Sequence, residues 1–373
     1  MQTTALIVGA SVAGLSAAAA LQKQGIGYTI IEKQDRVGAP WYNHYHRLHL
    51  HTSKRFSQLP YKKFPASVPR YPSRQQVIDY LEDYRRSFKI NPLFNTAARS
   101  ITREKDHWLT VTSNGEFRST HLVMATGVYA KPRPIIFKGL DTFPGRVLHS
   151  CQYKTGSEYK DQTVLVVGFG NSACEIAIDL HEQGATPVMA VRSAVNIVPR
   201  DVFGIPVLEL SALLSSLPPR VADTISSPLM KMLTGDIRKL GLRRKPYGPL
   251  EEIQRDGHPP VLDIGTIKQI RQGNITIRGD IDQITGNMVR FSNNHEQRFD
   301  AIIAAIGYDN EANTILRVDQ ARFDDLRFPA TKQKYFGKDG LYFCGYWISP
   351  TGQFRTIASD AILIAKHLAQ NKR

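Results

Sequence analysis

One arrangement of apolar and polar positions occurs twice along the chain. Residues 5–8, "ALIV", are continuously apolar; "GASVAG" follows, then the small-residue stretch "LSAAAALQKQG", then "YTIIE" at 28–32. A short apolar run predicts a buried strand, the glycines predict a tight turn, and the small-residue stretch predicts a helix closing at Gly25. The second copy has an apolar run at 163–167, then Gly168-x-Gly170-x-x-Ala173, a helix reaching about Gln183 and a strand at 187–191. Strand, glycine turn, helix and strand is the order of a βαβ unit with parallel strands.

Alternation around Asn114-Gly115 predicts a hairpin, which runs into "LVMATG" ending at Gly127. "MVRFSNNHEQRFDAIIAAIG" gives the second copy a matching close at Gly307, and "GLYFC" with "SDAILIAKHLAQ" predicts a last strand and helix. Ser73 caps a predicted helix whose Val77, Ile78, Leu81, Tyr84 and Phe88 form one apolar face. The pattern therefore predicts an α/β chain of two Rossmann-type dinucleotide-binding domains. The first is discontinuous, 1–155 and 300–373, and the second, 156–299, is inserted into it.

The two fingerprints differ where they meet a ribose. In the first, Gly9 permits the turn and Gly14 allows close packing of helix on strand, while Ser11 replaces the middle glycine. Glu32, twenty-three residues after Gly9, is placed to accept hydrogen bonds from a ribose diol, as in FAD. The same count from Gly168 reaches Val191, followed by Arg192 and Ser193. An acid there would repel a 2′-phosphate, whereas arginine and serine would bind one, so the second site favours NADPH over a plain solvated arginine.

Composition narrows the class further. A chain of 373 residues with 42% hydrophobic and 22% charged content is globular and long enough for two domains. The net charge of +15 suggests anionic partners, yet the basic residues are dispersed, the densest cluster being "RKLGLRRK" at 238–245. Nucleotide cofactors plus solubilising charge are expected, not nucleic acid. Three cysteines far apart in sequence give no disulfide framework, zinc spacing or Cys-x-x-Cys pair, and a cytoplasmic setting is expected. The uncharged run 5–21 is preceded by no basic residue and is short for a membrane span, so no integral membrane segment is expected. Apolar helical stretches between 208 and 242, broken at "LPPR", fit either a lid or a membrane-touching surface.

"NHYHRLHLH" at 43–51 holds four of the eleven histidines. Alternation sends His44 and His46 to one face of an extended chain and His49 and His51 to the other, and no acid lies nearby. No metal is expected.

"FPGRVLHSCQY", 143–153, matches the F-x-G-x-x-x-H-x-x-x-(Y/F) signature of flavin-containing monooxygenases. The likeness covers nearly the whole chain and is nearest to the YUCCA branch, in "RLHLHTSKRFSQLP", "FPASVPRYPSRQQVIDYLEDY", "YGPLEEIQRDGHPPVLDIGTIKQIRQGNI" and "FDAIIAAIGY". The resemblance implies an FAD- and NADPH-dependent monooxygenase that takes O2 and a small organic substrate through a flavin C4a-(hydro)peroxide. It implies FAD contacts from Gly9, Ser11, Ala13, Gly14, Glu32, Lys33, Trp41, Leu50, His51, Thr52, Ala125, Thr126 and Gly127. It likewise implies NADP contacts from Gly168, Gly170, Asn171, Ser172, Ala173, Arg192 and Ser193.

Animal members carry an asparagine near the oxygen-reacting carbon where His51 stands, so His51 is the catalytic candidate, with a packing role the alternative. In the YUCCA branch the substrate is an aryl 2-oxo acid such as indole-3-pyruvate, which loses carbon dioxide; Arg355 is the candidate for its carboxylate. Other outcomes are N- or S-oxygenation, Baeyer–Villiger chemistry, or NADPH oxidation without an oxygenated product. A dithiol reductase shares the architecture but needs paired cysteines. "GYWISPTGQFRTIASDA" departs from the plant pattern, which leaves substrate identity open.

Overall fold

The computed structural model describes residues 1–214, 216–318 and 337–370. The chain divides into two compact units: Met1–Tyr42, Thr52–Lys131 and Tyr308–Arg373 form one, Asn43–His51 and Pro132–Gly307 the other.

The first unit opens with β1 (Gln2–Val8), α1 (Val12–Lys23) and β2 (Tyr28–Ile31). Ala5, Leu6 and Ile7 are fully buried because β1 pairs in parallel with β2 on one side and with a later strand on the other. Every residue of α1 from Val12 to Leu21 is buried, and the alanines Ala17–Ala20 keep the helix narrow enough to pack closely on its neighbours. Helix α2 (Arg74–Ser87) follows, then β3 (Ala98–Glu104), β4 (His107–Thr112) and β5 (Gly115–Met124), with the expected hairpin closing at Asn114-Gly115. Ser73 caps α2 reciprocally: its hydroxyl accepts from the Gln76 amide at 3.3 Å and its amide donates to the Gln76 side chain at 2.9 Å. Ser73→Ala is expected to cost about 1 kcal/mol, read as a lowered denaturant midpoint of the purified protein.

The second unit carries a parallel sheet of β6 (Arg146–His149), β7 (Thr163–Val167), β8 (Thr186–Ala190), β9 (Thr276–Arg278) and β10 (Ala301–Ala304), in the order β9-β8-β7-β10-β6. Helix α3 (Asn171–Glu182) packs beside it. Between β8 and β9 lie α4 (Val207–Leu214), α5 (Pro219–Thr234) and α6 (Pro249–Asp256). Leu229, Met230 and Leu233 of α5 pack on Val198, Val202, Val207 and Leu262. Val221, Ile225 and Met232 of the same helix are at 47%, 60% and 68% exposure, so part of this apolar stretch is turned to solvent. The chain then returns to the first unit as β11 (Leu341–Phe343), parallel to β5, and α7 (Gln353–Gln370). No helix of the described residues is long and apolar enough to cross a membrane.

The division falls differently from the expected boundaries at 155/156 and 299/300. Residues 132–155 group with the second unit because β6 pairs with β10. Residues 43–51 do so because the His46 amide donates to the Lys154 carbonyl (2.9 Å) and Arg47 forms a bidentate pair with Glu182. Residues 319–336 and 371–373 of the expected first domain lie outside the described residues.

Candidate functional site

In the first unit the fingerprint residues gather at the carboxyl ends of the parallel strands β1, β2, β5 and β11, where ligands of such sheets bind. Gly9 has φ +104°, donates to Ile31 O (2.8 Å), and a Cβ there would lie 2.8 Å from the Ala125 carbonyl. A Cβ on Gly14 would lie 1.8 Å from the Gly9 carbonyl, so α1 approaches the turn as closely as a backbone can. Ser11 is the N-cap of α1 and makes no capping bond, which leaves its hydroxyl and the first amides of the helix available to an anion. The Glu32 carboxylate, 8% exposed, accepts from the amides of Ala10 (2.7 Å) and Gln34 (3.0 Å), one on each oxygen. Each oxygen keeps a lone pair for a ribose hydroxyl. These cradles fit an FAD adenosine and pyrophosphate.

Other expected residues lie around this end of the sheet. Ala125 donates to Val8 O (3.0 Å), Gly127 has φ +79°, and Thr126 shares a 2.5 Å hydrogen bond with Tyr346. Tyr346 is fully buried, and burial pushes its phenol well above the usual range, so it stays neutral. Gly345 donates to Asp360 (3.1 Å), whose carboxylate is wholly buried in α7. Neither Tyr346 nor Asp360 stands out in the sequence; only the retained "SDA" marks the second. Trp41 packs edge-on against Phe354 at 5.7 Å, Lys33 pairs with Glu311 at 2.8 Å, and Thr52 bonds Ser57 at 2.5 Å. Arg355 is exposed, its guanidinium 4.3 Å above the Phe56 ring.

In the second unit Gly168 repeats Gly9, with φ +116° and a Cβ position 2.6 Å from the Ala305 carbonyl. Gly170, the N-cap of α3, has open space around its Cβ position, and Ala173 is fully buried against the sheet. Arg192 and Ser193 are exposed just past β8. This arrangement fits an NADP nucleotide. The Asn171 side chain is committed elsewhere, accepting from Leu262 (2.8 Å) and donating to Pro260 O (3.4 Å), so it pins the 260–262 segment. Ser172 remains half-buried beside it.

The histidine-rich segment is organised by one carboxylate. Glu175, at 1% exposure on α3, accepts from Tyr45 OH at 2.5 Å and faces His51 Nε2 at 3.1 Å. Sequence periodicity gives no reason to single out this glutamate. Leu50 is buried beside His51, and His49 Nδ1 meets Arg47 O at 2.6 Å. Among the described residues no group of His, Cys, Asp and Glu is placed to hold a metal ion.

The 143–153 signature holds the unit's own sheet edge together. A Cβ on Gly145 would lie 2.2 Å from Asp300 O, and Tyr153 OH donates to Asp179 at 2.6 Å. His149 Nδ1 accepts from the Cys151 amide (3.2 Å) and Nε2 donates to Gly307 O (3.0 Å). Burial lowers its pKa, consistent with this neutral tautomer. All three cysteines are free, and burial pushes the Cys174 thiol up, so no dithiol pair exists for disulfide chemistry.

Residues 6–201 match the model of the pyridine nucleotide-disulphide oxidoreductase family. Indole-3-pyruvate monooxygenase YUCCA6 of Arabidopsis thaliana is 39% identical over 356 residues, covering 92% of this chain and 85% of that protein. The chain belongs to the YUCCA family of flavin-dependent monooxygenases. Indole-3-pyruvate monooxygenase YUCCA1 of Oryza sativa subsp. japonica is 35% identical over 374 residues, covering 98% of this chain and 91% of the relative. The fold is that of a flavin-containing monooxygenase from Stenotrophomonas maltophilia, at TM-score 0.74 and 18% identity over 100% of this chain and 99% of the other. As a YUCCA-family member the chain uses FAD and NADPH, and its lack of a cysteine pair sets it apart from the disulphide reductases that share the family model.

Proposed function

We propose that this monooxygenase acts on an aryl 2-oxo acid such as indole-3-pyruvate, converting it to the arylacetic acid one carbon shorter. The balance is one 2-oxo acid, O2 and NADPH with a proton in, and one arylacetate, carbon dioxide, water and NADP out. The observation that carries this reading is the 35–39% identity, over more than nine-tenths of the chain, to relatives named for indole-3-pyruvate. Free cysteines throughout suit a reducing compartment, and we place the protein in the cytoplasm.

FAD, when bound, supplies hydride acceptance and oxygen activation. The chain's residues bind and orient. Glu32 takes the ribose diol of FAD, and Ser11 with the first amides of α1 takes the pyrophosphate. Gly168 and Gly170 admit the NADP pyrophosphate, and Arg192 with Ser193 takes its 2′-phosphate. His51 is the catalytic residue of this reading. The Glu175 carboxylate, accepting from Tyr45, also accepts the Nε2 hydrogen of His51, which fixes the ring and leaves Nδ1 as the lone-pair atom.

Supplying the FAD-loaded protein with indole-3-pyruvate or phenylpyruvate, NADPH and O2 should give arylacetate and carbon dioxide one-for-one with NADPH consumed. NADPH consumption that yields hydrogen peroxide alone would make the protein an oxidase. His51→Ala is expected to raise the share of NADPH ending as peroxide roughly fivefold, the worth of one hydrogen bond of about 1 kcal/mol. Glu175→Gln should move it the same way by less. Unchanged coupling in both variants would return His51 to a packing role.

A further inference from the structure

The basic cluster at 238–245 separates into committed and uncommitted cations. Arg238 pairs with Asp236 at 2.8 Å. Arg244 donates to Thr234 (3.3 Å) and to Gly235 O (3.2 Å), and Lys245 sits between Glu252 and Asp256. Lys239 is exposed on the 3₁₀ turn Ile237–Leu240. Arg243 is different: it is exposed, has no carboxylate partner among the described residues, and its Nη2 donates to the carbonyl of Arg192.

Backbone geometry puts it there. Gly241, at φ +81°, ends the 3₁₀ turn, and Leu242, 2% exposed, anchors the next residue in the core. The chain then runs parallel beside the segment after β8: Val195 donates to Arg243 O (2.8 Å), Lys245 donates to Val195 O (3.3 Å), and Val195 bridges Arg244. With Leu242 inward, alternation turns Arg243 outward, over the Arg192–Ser193 peptide. Arg278, on the neighbouring β9, turns its Nη1 back to Ile277 O (3.3 Å). The Arg243 guanidinium thus rests on the backbone of Arg192. Two exposed arginines brought this near along the backbone can both turn to one dianion, and planar forks suit phosphate oxygens.

We propose that Arg243 is the second cation of the 2′-phosphate subsite and carries a share of the preference for NADPH over NADH. This rests on the reading of Arg192 as a 2′-phosphate ligand and extends it to a residue fifty-one positions away.

The test is equilibrium binding of 2′,5′-ADP and of 5′-AMP, which differ only by the 2′-phosphate, to the FAD-loaded protein by calorimetry. Wild type should bind 2′,5′-ADP far more tightly. Arg243→Ala should weaken it about tenfold while changing 5′-AMP less than about twofold, and Arg243→Lys should recover part of the loss because charge without the fork is a poorer phosphate ligand. Equal loss of both ligands would mean that Arg243 stacks on adenine, and no loss of either would leave it a solvated cation; each result overturns the proposal. A wild type that fails to distinguish the two ligands would remove the Arg192 reading, and this one with it.

Discussion

Gly14→Val is expected to purify nearly colourless. Even the first carbon of a side chain there would lie 1.8 Å from the Gly9 carbonyl oxygen and 2.9 Å from its carbon, and the branches would meet Ile30. Gly9 cannot yield, because its amide is bonded to Ile31 O and its φ of +104° suits only glycine. Helix α1 must therefore move away from β1, taking its first amides and Ser11 from the pyrophosphate. The second fingerprint tolerates Ala173 at the corresponding position, but there the helix is already set for a methyl group. Over-packing of this kind costs about 1–3 kcal/mol, and the displaced amides add to it. FAD released by heat should fall from near one per chain to roughly a tenth or less, which from nine-tenths occupancy requires a roughly eightyfold loss of affinity, about 2.6 kcal/mol. A variant retaining full flavin would show that the turn does not hold the pyrophosphate.

Arg192→Ala should raise the KM for NADPH about ten- to a hundredfold and leave that for NADH nearly unchanged, as loss of a charge-assisted contact worth about 1.5–3 kcal/mol requires. Arg192 is exposed, at the end of β8, so its removal leaves the packing of the unit intact and the effect is confined to binding. Equal losses with both nucleotides would defeat the 2′-phosphate assignment.

What the sequence made legible was local. A glycine turn after an apolar run, an Asn114-Gly115 hairpin and a serine three residues before Gln76 each depend on neighbours within one turn or one strand, and each is found where expected. Both fingerprints are of this kind, and with them the two-unit α/β plan. What was not legible depends on residues far apart. Tyr45 and His51 reach Glu175 across more than a hundred residues, and the pull of those bonds assigns 43–51 to the second unit. Strand β6 likewise follows its partner β10.

The recognition signature marks the family without performing its chemistry. Its histidine and tyrosine are fully occupied in fixing Gly307 and Asp179, so their presence says which fold this is and nothing about substrate. Conversely, Arg243 reads as dispersed surface charge until the backbone brings it to Arg192.

The proposal stands or falls on the chain binding FAD and reducing it with NADPH. The direct measurement is an anaerobic titration of the purified protein with NADPH, followed at the visible flavin band. The account predicts one FAD per chain, bleached completely by one equivalent of NADPH and far more slowly by NADH; a protein without flavin, or a flavin that NADPH leaves oxidised, would contradict it.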